Sequence, residues 1–264
     1  MVAAASRSVL VRGAASALIA PLLTSLTSVP PAHADVKEEI RKAASVVPGY
    51  GPADLLFPPA FRGRWRLTRE VVSVDFPLGR DKAPSAEASA AERQALGPAT
   101  YDQRFVETTE GDGVIPDRAF NAEQREAALL NIPLDDLEAR WSSSNPNIVT
   151  MRNRRTNSQM ETKVTKRSLE TPGEGAFGTS EYARVADAGS EGVLGGVPRI
   201  LATRERVRYR WNTAAASPIR VEGLEIFSVY DPTQTGFADL AGATPVLTVK
   251  ARLVLEKVTA ASGR

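Results

Sequence analysis

The chain of 264 residues contains no cysteine and a single histidine, His33. The absence of cysteine excludes disulfide bonds, thiolate nucleophiles and thiolate metal ligands. His33 lies in an N-terminal segment with the features of a removable signal, so we expect the mature chain to have no imidazole either. Together these absences exclude a Ser-His-Asp triad, a Cys-His dyad and zinc or haem held by histidine. No cofactor and no metal site is predicted.

Residues 1–34 show the three regions of a signal peptide, namely a basic start, an apolar stretch and a small-residue cleavage site. Arg7 and Arg12 are the only charged residues in this segment. We expect cleavage after Ala34. The alternative is a membrane anchor, but Pro21 interrupts the apolar stretch, and a stable span needs about 20 predominantly apolar residues. Such a signal suits either the thylakoid lumen of a chloroplast or a bacterial periplasm.

Removal of this segment balances the charge of the chain. The 33 basic residues fall to 31 without Arg7 and Arg12, which equals the 31 acidic residues. The sequence therefore gives no reason to expect a nucleic-acid partner, and any electrostatic partner has to be recognised by a local patch. The hydrophobic fraction of 42% is that of an ordinary globular protein.

The remaining residues are predicted to form one mainly β domain. We expect a short helix over 35–46 within a lead-in, 35–54, then a β-barrel domain, 55–258, and a disordered tail, 259–264. Runs rich in β-branched and aromatic residues, separated by turn signals, predict many strands with short connections. The strands are predicted at residues 62–76, 101–109, 137–142, 147–153, 159–168, 179–186, 199–212, 219–230 and 246–258.

Two connections between the predicted strands are long enough to hold helices. Residues 80–99 are rich in alanine, serine and glutamate and are predicted to be an exposed, partly helical excursion. Asn121 is a favoured N-cap residue, and Gln124 three positions later has the spacing of a capping box. This pattern predicts a helix over 122–130.

The strand predicted at 199–212 alternates arginines with other residues, so its two faces differ in character. We call the basic side the arginine face, and it consists of Arg204, Arg206, Arg208 and Arg210. The simplest interpretation is a solvated outer face over a packed inner one. The alternative is a stripe that binds an anion or a lipid headgroup.

An apolar face of the predicted strands would line the interior if the barrel is hollow. The candidate lining residues are Trp65, Leu67, Val71, Val207, Tyr209, Trp211 and Phe227. An eight-stranded barrel can enclose one small ligand, and a pigment, quinone or lipid would suit this lining. The alternative is that these side chains fill the interior completely.

The start of the first long strand resembles the lipocalin (calycin) signature. Gly63 and Trp65 stand in a Gly-x-Trp pattern just after an irregular lead-in. The resemblance implies a calycin-like barrel in which Trp65 closes one end and an arginine of the last strand packs over its indole. Arg252 is the candidate for that partner, since a guanidinium stacks favourably on a tryptophan ring.

A longer series of motifs resembles an uncharacterised domain family of cyanobacterial and plant chloroplast proteins. The likeness covers roughly residues 55–258. The motifs, in this order, are Phe-x-Gly-x-Trp at 61–65, Pro-Leu-Gly at 77–79, Asp-Arg-Ala-Phe-Asn at 117–121, Asn-Pro-Asn at 145–147 and the strand end at 168–170. Within the third motif, Asp117 and Arg118 form an ion pair at the barrel mouth or else brace the helix entry beside Asn121. The resemblance favours the thylakoid lumen over a periplasm.

These observations lead to two functional hypotheses. The first is a lumenal, lipocalin-like protein that binds a small hydrophobic ligand. The second is a non-enzymatic assembly or stability factor that docks to a photosynthetic membrane complex, and is peripheral to the membrane at most. An enzyme is the least favoured, because the mature chain lacks Cys and His and the sequence shows no convergent pair of carboxylates.

Overall fold

The computed structural model describes residues 52–108, 111, 113–188, 198–214, 219–235 and 242–259. The predicted signal with its cleavage point at Ala34, the predicted helix over 35–46 and all but the first residue of the predicted tail lie outside these ranges. Among the described residues, no helix combines the length and the apolar character that crossing a membrane would require.

In the described part of the chain, ten antiparallel strands form a single sheet. The strands are β1 (Gly63–Asp75), β2 (Ala99–Glu107), β3 (Val114–Pro116), β4 (Leu137–Ser142), β5 (Asn145–Asn153), β6 (Ser158–Gly173), β7 (Ala176–Ala188), β8 (Arg199–Trp211), β9 (Arg220–Tyr230) and β10 (Leu247–Lys257). Nine of them overlap the strands predicted from the sequence. The prediction misses β3, because three residues are too few to show an alternating pattern.

The strands follow one another across the sheet in a simple meander. Each strand from β4 to β10 pairs with the next along the chain, and β10 then pairs with β1. The order across the sheet is β3-β2-β1-β10-β9-β8-β7-β6-β5-β4. The first and last long strands are therefore neighbours, with Trp65 directly opposite Lys257.

The sheet curls into a half-barrel. The ring centroid of Phe57 lies 5.0 Å from that of Phe105 on β2 and 5.0 Å from that of Phe177 on β7. Five strand spacings separate β2 from β7, which is about 24 Å in a flat sheet, so the sheet must bend to bring both rings to Phe57. The mainly β, antiparallel class is thus confirmed, but the described edge strands β3 and β4 do not pair and the barrel is open.

Two helices pack against the half-barrel, one on its inner face and one between its two edge regions. The described α-helices are α1 (Ser85–Gln94), α2 (Arg118–Leu130) and the short α3 (Pro232–Thr235), and single 3-10 turns lie at Pro59–Phe61, Arg80–Lys82 and Leu134–Asp136. Helix α1 lies within the 80–99 segment, so the helical part of that prediction is confirmed. The exposed part is wrong, because the helix buries Ala88 and Ala91 against the sheet. Helix α2 connects β3 to β4 and contacts β2, β4 and β5, so it bridges the gap between the two edges of the sheet.

Two apolar clusters occupy the inner face of the sheet. We call the first the aromatic cluster, and it comprises Leu55, Phe57, Phe61, Trp65, Leu67, Tyr101, Phe105, Val114, Phe177, Val207, Tyr209, Val221, Leu253 and Leu255. The second, the α1 cluster, packs Ala83, Ala88 and Ala91 against Leu201, Val229, Val246, Leu247 and Val249. Burial of these side chains is the main source of stability for the domain.

The N-terminus of α2 corrects one prediction. The N-cap is Asp117, whose carboxylate accepts a hydrogen bond from the backbone N–H of Phe120 at 3.1 Å. Asn121 lies inside the helix, where its side-chain oxygen accepts from the backbone N–H of Arg104 at 2.7 Å and its amide donates to the Arg104 carbonyl at 3.0 Å. Asn121 therefore pairs with strand β2 in the manner of a backbone group, and the helix begins four residues earlier than the cap rule placed it.

Replacement of Asp117 by Ala is expected to lower the free energy of unfolding by about 1–2 kcal/mol, because the change removes the helix cap and a half-exposed ion pair with Arg104. The shift of the urea midpoint measures the effect. Asp81→Ala is the control, because that side chain is 77% exposed, and it should change the stability by less than about 0.5 kcal/mol. Equal midpoints for the two variants would contradict the capping role.

Candidate functional site

The indole of Trp65 is covered by a lysine and not by the predicted arginine. Trp65 is fully buried and donates its Nε1–H to the Phe61 carbonyl at 2.6 Å. The Lys257 ammonium lies 4.5 Å from the Trp65 ring centroid. Arg252 cannot do so, because even-numbered residues of β10 point outward, and it sits exposed opposite Glu70. Gly63 opens β1 with a φ of 100°, which favours glycine.

The candidate lining residues divide between the two clusters and do not surround one space. Trp65, Leu67, Val207 and Tyr209 belong to the aromatic cluster, and Trp211 packs against it. Val71 and Phe227 pack against the α1 cluster. The predicted set therefore lies on the inner face, as expected, but at two separate ends of it.

In the structure the lead-in to β1 comprises residues 52–62, and its side chains occupy the centre of the aromatic cluster. Phe61 is completely buried. Its ring centroid lies within 5.1–6.3 Å of those of Phe57, Trp65, Phe105, Phe177, Tyr209 and Trp211. At these distances aromatic rings are in direct edge or tilted contact. The lead-in thus plugs the end of the half-barrel at which Trp65 was expected to close a hollow interior.

A band of charged side chains separates the two apolar clusters. Three neighbouring strands each place one carboxylate on the inner face, Glu181 on β7, Glu205 on β8 and Glu225 on β9. Sequence reasoning missed this convergence of acids. The sequence does contain a signal that could have revealed it. Each of these strands has a glutamate at an inward position, between residues that the alternation assigns to the core.

One end of the band is dry and fully paired. Arg69 and Glu225 have side chains only 2% and 3% exposed. The guanidinium donates to both Glu225 oxygens, with its closest contact at 2.7 Å, and also to Gln94 at the end of α1 at 3.0 Å. Burial alone would raise the pKa of Glu225, but attraction to Arg125 and hydrogen bonding to Arg69 outweigh it and lower the pKa.

The other end of the band joins helix α2 and the lead-in to the sheet. Arg118 donates to Glu181 at 2.9 and 3.2 Å and to Asp54 at 2.6 Å. Arg167 also donates to Glu181, and to Asn147 at 2.6 Å. Burial alone would raise the pKa of Glu181, but attraction to Arg118 and Arg167 outweighs it and lowers the pKa to about 2.

The middle of the band is less completely paired. Arg125 of α2 donates to Glu205 at 2.9 Å and lies 3.5 Å from Glu225, so one guanidinium serves two carboxylates. Burial raises the pKa of Glu205, and repulsion from Glu225 and Glu181 adds to this effect against the attraction of Arg125. Burial also raises the pKa of nearby Tyr101 to about 12.

Asp117 and Arg118 do not pair with each other. Asp117 caps α2 and accepts from Arg104 at 2.9 Å, whereas Arg118 points inward to Asp54 and Glu181. With Asn121 docked on β2, the Asp-Arg-Ala-Phe-Asn motif fixes the start of α2 to both the sheet edge and its interior. This placement matches the bracing alternative for the two residues.

The arginine face lies on the outer side of the half-barrel. Arg206, Arg208 and Arg210 are exposed, whereas Arg204 is half-buried, with its guanidinium 4.7 Å from the Tyr182 ring centroid. Residues opposite each other in antiparallel strands share a face, so the registers add Lys163, Lys166, Arg184, Arg220, Lys250 and Arg252 to this side. The acids on the same side are Glu161, Glu170, Glu222 and Glu256.

Basic residues therefore clearly outnumber acidic ones on the outer face of β6–β10. Arg208 pairs with Glu170 at 3.2 Å and Arg220 with Glu222 at 3.1 Å. In the part of the chain that the structure describes, no ion pair is recorded for Arg206 or Arg210. The exposed apolar side chain of Leu224 lies opposite Arg208 on the neighbouring strand.

Among the described residues, no group of acidic side chains is arranged to hold a metal ion.

Comparison with known proteins gives one result. No curated protein and no solved structure matches the chain. A family model matches residues 49–259, which include every described residue and therefore all ten described strands and both longer helices. This match confirms that the series of motifs belongs to an uncharacterised domain family. The chain is a member of the family described as Domain of unknown function (DUF6816).

Proposed function

We propose that the protein is a non-enzymatic assembly or stability factor that docks onto the acidic surface of a membrane protein complex through its arginine face. The observation that carries the proposal is the excess of exposed basic side chains on the outer face of β6–β10. Two of the arginines, Arg206 and Arg210, point to solvent and form no salt bridge among the described residues. Glu222 lies directly opposite Arg210 but pairs with Arg220.

The chemistry of this face suits carboxylates on a protein. Successive arginines of β8 are two residues apart, which spaces them by about 6.6 Å along the strand. A guanidinium binds a carboxylate with two parallel hydrogen bonds, which lysine cannot do. Leu224 and Ile226 of β9 lie directly beside Arg208 and Arg206, so the face combines charge with apolar surface, as protein interfaces do.

The interior supports the same proposal. The aromatic cluster is occupied by the chain's own side chains, above all Phe61. A small hydrophobic ligand would have to displace the lead-in in order to enter, so binding of a pigment, quinone or lipid stays a prediction. We place the complex in the thylakoid membrane and the protein in the lumen, because the signal-like segment 1–34 and the motif series favour that compartment.

Reversal of two charges on the arginine face should weaken docking about tenfold or more, because such charges govern association with an acidic partner. The test uses the chain without residues 1–34 and measures its co-sedimentation with membranes from its own compartment. The variant is Arg206→Glu with Arg210→Glu. The matched control, Arg93→Glu with Arg152→Glu, changes the same charge at exposed sites on α1 and β5 for which no salt bridge is found among the described residues.

The same experiment identifies the occupant of the face. Arg206→Lys keeps the charge and supplies an amine, so a carbodiimide can join it to a carboxylate that it contacts. A cross-link to an acidic segment of one complex supports the proposal. Equal sedimentation of the two charge-reversal variants contradicts it, and so does equally strong binding to protein-free anionic vesicles, which would mark lipid as the partner.

A further inference from the structure

Within the described sheet, a patch on the outer face of β6–β9 contains no acidic side chain. Three successive rows of residues that lie opposite one another cross these strands. The first row is Lys163, Arg184, Ala202 and Tyr230, the second is Lys166, Tyr182, Arg204 and Ser228, and the third is Ser168, Ser180, Arg206 and Ile226. Acids appear in the rows on either side, which contain Glu161 and Glu170. We call the three rows the Arg204 patch.

The basic side chains of this patch have no counter-charge among the described residues. They are Lys163, Lys166, Arg184, Arg204 and Arg206, and none of them forms a salt bridge with another residue that the structure describes. All of them except Arg204 are exposed, so water solvates their charges. Arg204 is half-buried, and a charge that is partly withdrawn from water is unfavourable unless a counter-charge pairs with it. An anion bound beside Arg204 would therefore stabilise this side chain.

The guanidinium of Arg204 is held in a defined orientation. Its central carbon lies 4.7 Å from the ring centroid of Tyr182, and its Nε–H donates to the Ser180 hydroxyl at 3.2 Å. Tyr182 is only 7% exposed, so its ring is a rigid support. A guanidinium has five N–H donors, and no described residue accepts a hydrogen bond from the terminal nitrogens of Arg204. These nitrogens form a planar fork that is preorganised to bind an anion.

The residues around this fork suit a phosphate group better than a carboxylate. A phosphate monoester carries a charge of about −1.5 to −2 at pH 7 and offers three acceptor oxygens. Two of these oxygens can accept from the fork of an arginine, which leaves the third oxygen for another donor. Two such donors adjoin Arg204. The Ser180 hydroxyl accepts from its Nε–H and keeps its own hydrogen to donate, and Arg206 lies two residues away on the same face.

We propose that the Arg204 patch binds the phosphate group of a phosphate monoester, with Arg204 as the anchor. The terminal nitrogens of Arg204 donate to two phosphate oxygens, and the Ser180 hydroxyl donates to the third. The exposed cations of the patch balance the remaining negative charge. The ester is a soluble molecule or the headgroup of a membrane lipid, and both present the same group. Phosphate binding does not require docking to a membrane complex, so either one can occur without the other.

Titration calorimetry on the chain without residues 1–34 tests the proposal with glycerol 3-phosphate as the probe. Succinate is the comparison ligand, because its negative charges are on carboxylates. We expect glycerol 3-phosphate to bind about tenfold more tightly than succinate. Arg204→Gln should weaken the binding of glycerol 3-phosphate about tenfold, because hydrogen bonds to a charged group are lost. Arg204→Lys should have an intermediate affinity, since lysine keeps the charge but not the fork.

Arg152→Gln is the matched control, because it removes an exposed arginine of β5 that forms no salt bridge among the described residues. It should change the affinity for glycerol 3-phosphate by less than about twofold, because a distant exposed charge is screened by salt. Circular dichroism establishes that each variant is folded. An Arg204→Gln variant that is folded and retains the wild-type affinity overturns the proposal, and so does succinate that binds as tightly as glycerol 3-phosphate.

Vesicles distinguish the two sources of the phosphate group. Phosphatidic acid presents a phosphate monoester on a membrane, whereas phosphatidylcholine does not. Co-sedimentation of the wild type, but not of Arg204→Gln, with phosphatidic acid vesicles assigns a lipid headgroup. Binding of glycerol 3-phosphate without such co-sedimentation assigns a soluble ester. If neither glycerol 3-phosphate at millimolar concentration nor phosphatidic acid vesicles bind, the patch does not bind phosphate monoesters and the proposal fails.

Discussion

Replacement of Glu181 by Gln should lower the free energy of unfolding at pH 7 by about 3–5 kcal/mol, the usual effect of breaking a buried ion pair. The Glu181 carboxylate accepts from Arg118 and Arg167. Without it, Arg118 keeps Asp54 as its close anionic partner. The almost completely buried Arg167 keeps its hydrogen bonds to neutral oxygens such as that of Asn147, but its nearest described carboxylate is then Asp54 at 3.7 Å. Urea unfolding monitored by tryptophan fluorescence measures the change.

The same residue predicts how stability depends on pH. The pKa of Glu181 is about 2 in the folded protein, below its ordinary value of 4.5, because Arg118 and Arg167 favour the ionised form. A lowered carboxyl pKa stabilises the fold above the ordinary value, and that stabilisation is lost as the pH falls from about 4.5 towards 2. The wild type should therefore lose about 3 kcal/mol over this range beyond what the Glu181→Gln variant loses.

Glu205 provides a control directly opposite Glu181 on the next strand. Its pKa is raised, chiefly by burial, so the folded protein favours the protonated form of Glu205. Ionisation of Glu205 at higher pH therefore adds no stability to the fold. Gln resembles that protonated form, so Glu205→Gln should change the stability at pH 7 by no more than about 1 kcal/mol. If the two variants unfold at the same urea concentration, the two carboxylates do not play different roles.

Phe61→Ala should destabilise the domain by about 3–5 kcal/mol, because it removes a completely buried ring from the centre of the aromatic cluster. The same urea experiment measures this loss, and Leu96→Ala is the control, because that side chain is 86% exposed. A change below about 1 kcal/mol for Phe61→Ala would mean that the lead-in does not plug the half-barrel in solution.

The Phe61→Ala variant also bears on hydrophobic ligands. An apolar cavity left by a deleted side chain stays dry and can take up a small aromatic molecule. We expect the variant to bind benzene or indole and the wild type to bind neither. Binding by the wild type would show that the lead-in leaves or shares the site, and would favour a carrier over a docking factor.

The alternation of side chains in the sequence predicts most of the sheet. It places nine strands and assigns the arginine face to one side of β8, since both follow from the two-residue period of a strand. The same period assigns Arg252 to the outer face once β10 is paired with β1. The expected contact with Trp65 is wrong because register comes from pairing between distant strands, which a local pattern does not contain.

The charged band shows a different limit of prediction. Glu181, Glu205 and Glu225 lie on separate strands, and their partners Arg118 and Arg125 come from a helix between β3 and β4. An isolated glutamate at an inward position looks like an irregularity in the pattern. Only the curl of the sheet and the position of α2 bring the charges together, and both result from tertiary packing.

The pairing of β1 with β10 also determines the order in which the sheet can be completed. Strands β4 to β10 each pair with a neighbour in the chain, so they can form by short loop closures, which are fast. Trp65 must instead find Lys257, near the other end of the chain, and such long-range closures slow folding. A chain that emerges N-terminus first therefore keeps its aromatic lead-in and first strands exposed until the final strand is available for pairing. Binding of a chaperone to this N-terminal part would favour productive folding.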